Sequence, residues 1–352
     1  MAPHGPLLRC IGNVLHIPPH SCHFSHNLNG ACNQDSRLKV FEDTLEIRLH
    51  SLTYIEESHV LSLEWLKDAL EVLVATNVDA QAFIPAVHLP LSKRDEKWIR
   101  DYLEDSSSVL YTCNMIREYI AGIDNILMLV KLTLHLLNLQ PGSYKSELRH
   151  ANDSLYECVR ALKNWTENIY DSVKGKSKGH HLIEDMPKPI LITKSEPVPR
   201  KNVFLTVLSA AKLTTIVICN TVVTAFTSQR DSLVEVSVPE SFAWSLPLLT
   251  LQRTVKSVII KRMDKGLNFF IPELCNVEFC LTKLKALLDS YVNIDVVTLE
   301  EELTEKTSNL VTDLKHQSEG LEKFLKLLEG KIDRLFHLTI ENRKSFLDKL
   351  KG

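Results

Sequence analysis

Apolar residues recur at three- and four-residue intervals along most of this 352-residue chain. Phe41, Leu45 and Leu49 repeat in this way, and a second series runs from Leu61 to Leu73. Residues three and four positions apart share one face of an α-helix, so each series marks a helix with a buried stripe. Because these stripes must be removed from water, we expect the helices to pack on one another. The pattern predicts an all-α protein, an elongated bundle of long antiparallel helices.

The scarcity of glycine supports the same fold class. The chain has 11 glycines, whereas an average composition would give roughly 25 in a chain of this length. Tight hairpins and phosphate-binding loops need backbone angles that glycine adopts at the least cost. Few glycines therefore favour long helices over a sheet with many turns.

Composition divides the chain into four predicted regions. Residues 1–37 show no helical periodicity and are predicted to form a disordered leader. Residues 38–173 are predicted to form an N-terminal helical bundle. Residues 174–201 contain four prolines and several lysines, which is typical of a linker. Residues 202–352 are predicted to form a C-terminal helical region.

Turn and cap residues set the expected helix limits. Ser92 suits an N-cap, and a separate long helix is predicted from Val109 to Leu139, before Pro141 and Gly142. The N-terminal bundle would then contain four or five helices. In the C-terminal region, Pro272 suits the first turn of a helix, where its missing N–H costs nothing.

The segment 295–350 has the clearest periodicity of the chain. One heptad row contains Val311, Leu325, Ile332 and Phe346, and the other contains Leu314, Leu321, Leu328 and Leu335. Two such rows predict a coiled-coil-like seam that needs a partner helix. Because Gly320 and Gly330 weaken a long helix, we predict that these heptad-like helices close into an intramolecular C-terminal hairpin.

The stretch 203–226 is apolar enough to raise the question of membrane insertion, for which about 20 residues suffice. The residues that would define a membrane segment are Val203, Leu208, Lys212, Ile216, Val223 and Phe226. A central lysine costs roughly 2.5 to 3.5 kcal/mol on insertion. The stretch is therefore predicted to be a buried or interfacial helix, and a single membrane span is the alternative.

Charge and cysteine usage restrict partners and location. The net charge is −3, from 41 basic and 44 acidic residues, so no overall field favours nucleic acid. Protein partners, of unidentified type, are expected instead. The cysteines are scattered without the spacing of a disulfide framework, which favours a reducing compartment. We expect a cytoplasmic protein, with association to the endoplasmic reticulum or plasma membrane as the alternative and a plastid location less favoured.

The sequence contains no constellation that announces a reaction. It lacks a phosphate-binding loop, a dinucleotide fingerprint, a nucleophile elbow and a His-Glu-x-x-His zinc helix. Zinc-capable side chains do gather in the leader, at Cys10, His16, His20, Cys22, His23, His26 and Cys32, but their spacing is irregular. We therefore predict no catalytic residue, no cofactor and no metal. An enzyme of small signalling-metabolite metabolism is the alternative.

The segment from Phe41 to Leu139 contains a motif with the core residues Leu61, Leu63, Trp65, Leu89, Pro90, Trp98 and Tyr102. Through this motif the segment resembles the plant Bypass family. The two tryptophans lie among leucines at helical spacing, so we predict that they pack in the core. The resemblance implies a predominantly helical plant protein without assigned catalytic residues. It also implies a role in root and shoot development, through restraint of a root-derived mobile growth signal.

The resemblance favours a non-catalytic developmental regulator that acts as a protein-interaction adaptor. A related helical group is linked to the exocyst, so the alternative by analogy is a single-pass or peripheral membrane protein of the secretory pathway.

Overall fold

The computed structural model describes residues 30–84, 93–137, 144–173, 203–228, 235–292 and 300–351. Within these ranges the chain contains eight α-helices and no β-strand. The helices are α1 (Gly30–Ser51), α2 (Leu63–Gln81), α3 (Lys93–Leu137), α4 (Tyr144–Val173), α5 (Val203–Thr227), α6 (Ser245–Asp264), α7 (Pro272–Val292) and α8 (Glu300–Lys351). The prediction of an all-α bundle is confirmed.

The helix limits correct the sequence prediction at the start of the fold. Helix α1 begins at Gly30, inside the predicted leader of residues 1–37. The rest of that leader and the predicted linker 174–201 lie outside the described residues, so both stay predictions. Helix α7 begins at Pro272, as its suitability for a first turn indicated.

Helix α3 is one helix of 45 residues, so the prediction of a separate helix from Val109 was wrong. Two of the three serines before Val109 bond their hydroxyl groups to the preceding turn, and the helix continues through all three. Ser106 Oγ donates to the carbonyl oxygen of Leu103 at 2.7 Å, and Ser107 Oγ donates to the same oxygen at 3.4 Å. Serine is tolerated inside a helix when its hydroxyl is satisfied in this way.

Helix α8 is one helix of 52 residues, so the predicted hairpin within 295–350 was wrong. Both heptad rows find partners in other helices of the chain, since α8 packs against α2, α3 and α7. Residues of the rows that are buried almost completely are Leu314, Leu321, Leu325, Leu328, Ile332, Leu335 and Phe346. Each glycine weakens a helix by about 1 kcal/mol, whereas burying one such side chain contributes about 1.5 to 3 kcal/mol. Packing therefore outweighs the two glycines.

Helices α3 and α8 run antiparallel along their shared seam. Polar contacts connect them from one end to the other: Arg343 to the Leu103 carbonyl, Arg117 to Asp333 at 2.6 Å and Lys131 to Glu322 at 2.7 Å. Along this series the residue number falls on α8 as it rises on α3. The predicted antiparallel packing of long helices is present in this pair.

Helices α3 and α5 run parallel. Lys212 forms an ion pair with Asp105, and further along both helices the rings of Tyr119 and Phe226 stack with their centroids 6.2 Å apart. The residue number rises on both helices between these two contacts. The bundle therefore combines antiparallel and parallel neighbours.

One hydrophobic core includes buried residues from all eight helices. Leu45 and Leu66 precede residues 174–201, and Leu251 and Leu328 follow them, yet all four belong to this core. The N-terminal and C-terminal regions are thus joined in space by their apolar faces. The predicted linker at residues 174–201 lies outside the described residues, so the domain boundary there stays a prediction.

Gly122 provides a test of the packing between α3 and α4. A Cβ atom at Gly122 would lie 2.5 Å from Trp165 Nε1, and Trp165 is itself held against Phe269, with ring centroids 6.0 Å apart. We expect Gly122→Ala to lower the free energy of unfolding by about 1 to 3 kcal/mol through overpacking. Urea denaturation followed by circular dichroism measures this change.

Gly330→Ala on α8 is the matched control, because a Cβ there has nothing within 4 Å. It should raise the free energy of unfolding by about 0.5 to 1 kcal/mol through helix propensity alone. Equal effects of the two substitutions would contradict the close contact between Gly122 and Trp165.

Candidate functional site

The turn between α1 and α2 contains the best-described part of the family motif. Leu61, Leu63 and Trp65 are all buried there. Leu61 adopts a left-handed backbone conformation, with φ at 67°. Ser62 Oγ accepts a hydrogen bond from the backbone N–H of Trp65 and thereby caps α2. These residues form a strained turn, a helix cap and the core beneath them.

Two charged side chains from the C-terminal region hold this turn. Arg262 on α6 donates to the carbonyl oxygen of Val60 at 2.7 Å, and Glu273 Oε1 on α7 accepts from the backbone N–H of Leu63 at 3.0 Å. Trp65 Nε1 donates to the Leu52 carbonyl oxygen at 3.1 Å. Arg262 and Glu273 thus satisfy backbone groups beside the motif, where the two parts of the chain meet.

The charges at this turn are poorly solvated. Burial raises the pKa of Glu273, and the backbone N–H groups of Glu273 and Leu63 offset this only in part. Burial likewise lowers the pKa of Arg262. Glu273 Oε2 is buried and has no hydrogen-bond partner among the described residues. An ionised carboxylate that is buried without full hydrogen bonding lowers the stability of the fold. The structural role of Glu273 is its hydrogen bond to the turn.

Glu273→Gln tests the cost of this charge. Burial raises the folded-state pKa of Glu273, so the folded protein is favoured at low pH, where this carboxyl group is protonated. That stability is lost as the pH rises through the raised pKa and the group ionises. Glutamine keeps an acceptor for Leu63 and cannot ionise, so the variant should gain stability relative to the parent between pH 5 and pH 8. Urea denaturation at both pH values measures the difference. A variant that loses stability relative to the parent over this range would contradict the account.

Tyr102 is the other described motif residue, and it contacts a different set of side chains. Its ring packs against Phe346 of α8, with centroids 4.9 Å apart. Burial raises the pKa of Tyr102 to about 12, although a hydrogen bond with Asn342 acts in the opposite direction. Leu89, Pro90 and the side chain of Trp98 lie outside the described residues. Tyr102 therefore contacts α8, whereas the backbone N–H of Leu63 bonds to Glu273 of α7 and Trp65 bonds to the Leu52 carbonyl oxygen.

The residues predicted for a membrane segment lie on α5 inside the bundle. Leu208, Ile216 and Phe226 are buried, and Val203 and Val223 are half-buried. By length and composition, Val203–Thr227 and Arg100–Leu137 are the two described helices that could cross a membrane. Other helices cover most of α5, which is the environment predicted for a buried helix.

Lys212 belongs to a polar layer that sequence reasoning missed. We define this layer as Asp105 on α3, Lys212 on α5, and Asn342 and Arg343 on α8. Lys212 Nζ pairs with Asp105 Oδ2, and the two side chains are only 14% and 17% exposed. Burial raises the pKa of Asp105, and attraction to Lys212 offsets this only in part. A lone lysine in an apolar helix indicates that a buried acidic partner is present. The sequence does not show that this partner is Asp105, which lies 107 residues before Lys212.

Lys212→Met tests the ion pair. Removing the lysine leaves a buried carboxylate without its cation, so we expect a loss of about 3 kcal/mol or more in the free energy of unfolding at pH 8. The loss should shrink as the pH falls, because the raised pKa of Asp105 lets the carboxyl group take up a proton. Urea denaturation at pH 5 and pH 8 measures both effects.

The double variant Lys212→Met with Asp105→Leu is the control for the ion pair. It should recover much of the stability lost in the single variant, since neither charge remains buried. A single variant as stable as the parent at pH 8 would show that the pair does not contribute to folding.

The described residues offer little for metal or thiol chemistry. Among them, no group of three or more His, Cys, Asp or Glu side chains is arranged to hold a metal ion. Burial raises the pKa of Cys113 to about 12 and also raises that of Cys158, which disfavours the nucleophilic thiolate. The Cys and His residues of the leader, all but one of which precede α1, are not tested by this finding.

These features define a class: an all-helical protein whose motif residues build its core. Residues 26–185 and 193–350 match the ROH1-like protein family. The chain belongs to that family, and its resemblance to the plant Bypass proteins is confirmed.

Curated relatives come from rice and Arabidopsis. UPF0496 protein 4 of Oryza sativa subsp. japonica is 24% identical over 311 residues, which are 88% of this chain and 63% of that protein. Protein BPS1, chloroplastic, of Arabidopsis thaliana is 22% identical over 316 residues, which are 90% of this chain and 84% of that protein. The chain therefore spans less than two thirds of the rice relative. No solved structure matches the chain.

Proposed function

We propose that this protein is a non-catalytic helical adaptor that restrains a root-derived mobile growth signal in plants. The observation that carries the proposal is the family match, which covers residues 26–185 and 193–350. The similarity to BPS1 over 90% of the chain supports a Bypass-like regulatory role at the family level. None of the relatives' names describes an enzyme.

The placement of the motif supports recognition of partners by the surface. Leu61, Leu63 and Trp65 are buried in the core. A partner would therefore contact other, exposed side chains. Large apolar side chains that are at least 60% exposed are Val40, Ile47, Tyr54, Met128, Leu246 and Phe279. Exposed aromatic side chains are the type that protein interfaces favour. Tyr54, at 82% exposed, and Phe279, at 60%, are therefore the first residues to test.

The proposal is tested by grafting. Arabidopsis roots that lack BPS1 and express this chain are joined to wild-type shoots, and shoot growth is measured. If the chain restrains the signal, shoots on these roots should grow like shoots on wild-type roots and differ from shoots on roots that lack BPS1 and express nothing. An unchanged shoot, with the chain accumulating in the roots, would contradict the proposal.

A surface variant separates partner binding from folding. The pair Tyr54→Ser and Phe279→Ser should unfold at nearly the same urea concentration as the parent, because both side chains are exposed. If these residues bind a partner, the variant should lose the effect on shoot growth. A variant that keeps the full effect of the parent on shoot growth would exclude these two residues from the interface.

Membrane association is a second candidate, favoured by the length and apolar composition of Val203–Thr227. Alkaline carbonate extraction of the tagged protein from plant cells distinguishes the two forms. Release into the supernatant is expected if α5 stays inside the bundle, and retention in the pellet would show a membrane span.

A fluorescent fusion tests the expected cytoplasmic location, because the relative BPS1 is named chloroplastic. Fluorescence in plastids would contradict the cytoplasmic location.

A further inference from the structure

We propose that this chain forms a symmetric dimer in which α8 of one copy packs antiparallel against α8 of a second copy. The surface that carries the proposal is the α8 stripe, defined as the row of α8 residues from His316 to Asp348 at alternating intervals of four and three. All of its members are exposed except Gly320, which is half-buried. Such spacing lines up residues along one side of a helix, where a second helix can lie. This inference does not depend on the proposed adaptor function.

A twofold axis between the copies sets which residues of the stripe meet. In a symmetric dimer every contact occurs twice, so the two halves of the stripe must be complementary to each other. When the axis crosses α8 at the level of Ile332, residues equally far before and after Ile332 face each other. This register brings Lys323 opposite Glu341 of the second copy. It also brings His316 opposite Asp348 of the second copy, so both contacts join a basic side chain to an acidic one.

The same register accounts for the two glycines of the stripe. Gly330 comes opposite Arg334 of the second copy. Gly320 comes opposite Lys344 of the second copy, so each glycine meets a long basic side chain. Within one copy, a Cβ at either glycine would have nothing within 4 Å, so close packing inside the chain does not require them. Each glycine weakens the helix by about 1 kcal/mol relative to alanine, and in the dimer it leaves room for the side chain opposite.

Exposed apolar side chains lie beside the stripe, on the flank of α8 that faces α3. Lys131 of α3 pairs with Glu322 at 2.7 Å, and Met128 lies one turn before Lys131 on the same face of α3. Met128 is therefore beside α8 close to Glu322. Asp333 bonds to α3 at 2.6 Å, and Ile340 lies two turns further along α8 on that same flank. Both apolar side chains are exposed, Met128 at 68% and Ile340 at 42%.

The register that matches the charges also brings these apolar side chains together. The twofold axis lies in the interface and is perpendicular to α8, so the α3 flank of one copy meets the α3 flank of the other. The level of Met128, close to Glu322, then faces Ile340 of the second copy. Leu132, one turn further along α3, comes between Ile340 and Leu347 of the second copy, and both leucines are exposed. Apolar contact favours association, while the opposite charges select the register.

Sedimentation velocity of the full chain over a dilution series tests the dimer. A dimer that dissociates on dilution is expected, and added salt should raise its dissociation constant because exposed charge pairs are screened. A chain that sediments as a monomer throughout the series would overturn the proposal and leave this face to a different partner.

Charge exchange within α8 tests the register. Lys323 and Glu341 are 18 residues apart on one helix, which is about 27 Å, so their side chains cannot meet within one copy. Lys323→Glu and Glu341→Lys each place like charges opposite each other in the dimer. Each should raise the dissociation constant on the order of tenfold. The double variant restores opposite charges and should return the constant close to that of the parent.

Lys323→Glu combined with Asp348→Lys is the matched control, because Asp348 does not face Lys323 in this register. It should dimerise no better than Lys323→Glu alone. All these side chains are exposed, so circular dichroism should show the helix content of the parent in every variant. Recovery in the control, or no recovery with Glu341→Lys, would overturn the antiparallel register.

Met128→Ser tests the apolar contact, and Leu246→Ser is its control. Leu246 is similarly exposed, at 64%, but lies on α6. Met128→Ser should raise the dissociation constant severalfold, since the contact with Ile340 occurs twice. Leu246→Ser should leave it unchanged. Equal effects of the two substitutions would contradict an interface on the α3 flank.

Discussion

The burial of α8 along its length is the interaction on which the rest of the structure depends. Its two heptad rows are buried against α2 and α3 from the first part of the chain and against α7 from the second. Helices in folded proteins gain most of their stability from such packing and not from propensity. Without α8, the apolar faces of α2 and α3 would be exposed, so the helix joins the two parts of the chain into one core.

Charged groups occupy several contacts between the two parts of the chain. Arg262 and Glu273 satisfy backbone groups of the turn at Leu61, and Lys212 pairs with Asp105 across α3 and α5. Burial opposes the charged form of Glu273 and Asp105, as the raised pKa of each shows. We expect such groups to select which helices meet, while apolar burial supplies most of the free energy of folding. The family motif accordingly contributes to assembly of the fold.

The sequence predicted helix positions and burial well where the pattern depended on residues close together in the chain. The apolar spacing of Leu45 and Leu49, the first-turn position of Pro272 and the burial of Trp65 all depend on neighbours within a few residues, and each is present in the structure. Contacts distant in sequence were not predictable. The hairpin in 295–350 was wrong because the partners of α8 are other helices. Asp105 was missed because its partner Lys212 lies on a helix far along the chain.

The central claim is that one core joins the two parts of the chain, and fluorine NMR tests it most directly. The chain has four tryptophans, and labelling them with 5-fluorotryptophan gives a separate signal for each. Trp65 and Trp165 report on the helices before residue 174, and Trp244 reports on those after residue 201. With one core, all three signals should move to their unfolded positions at the same urea concentration. A different midpoint for Trp244 would show that the two parts unfold independently and would contradict the account.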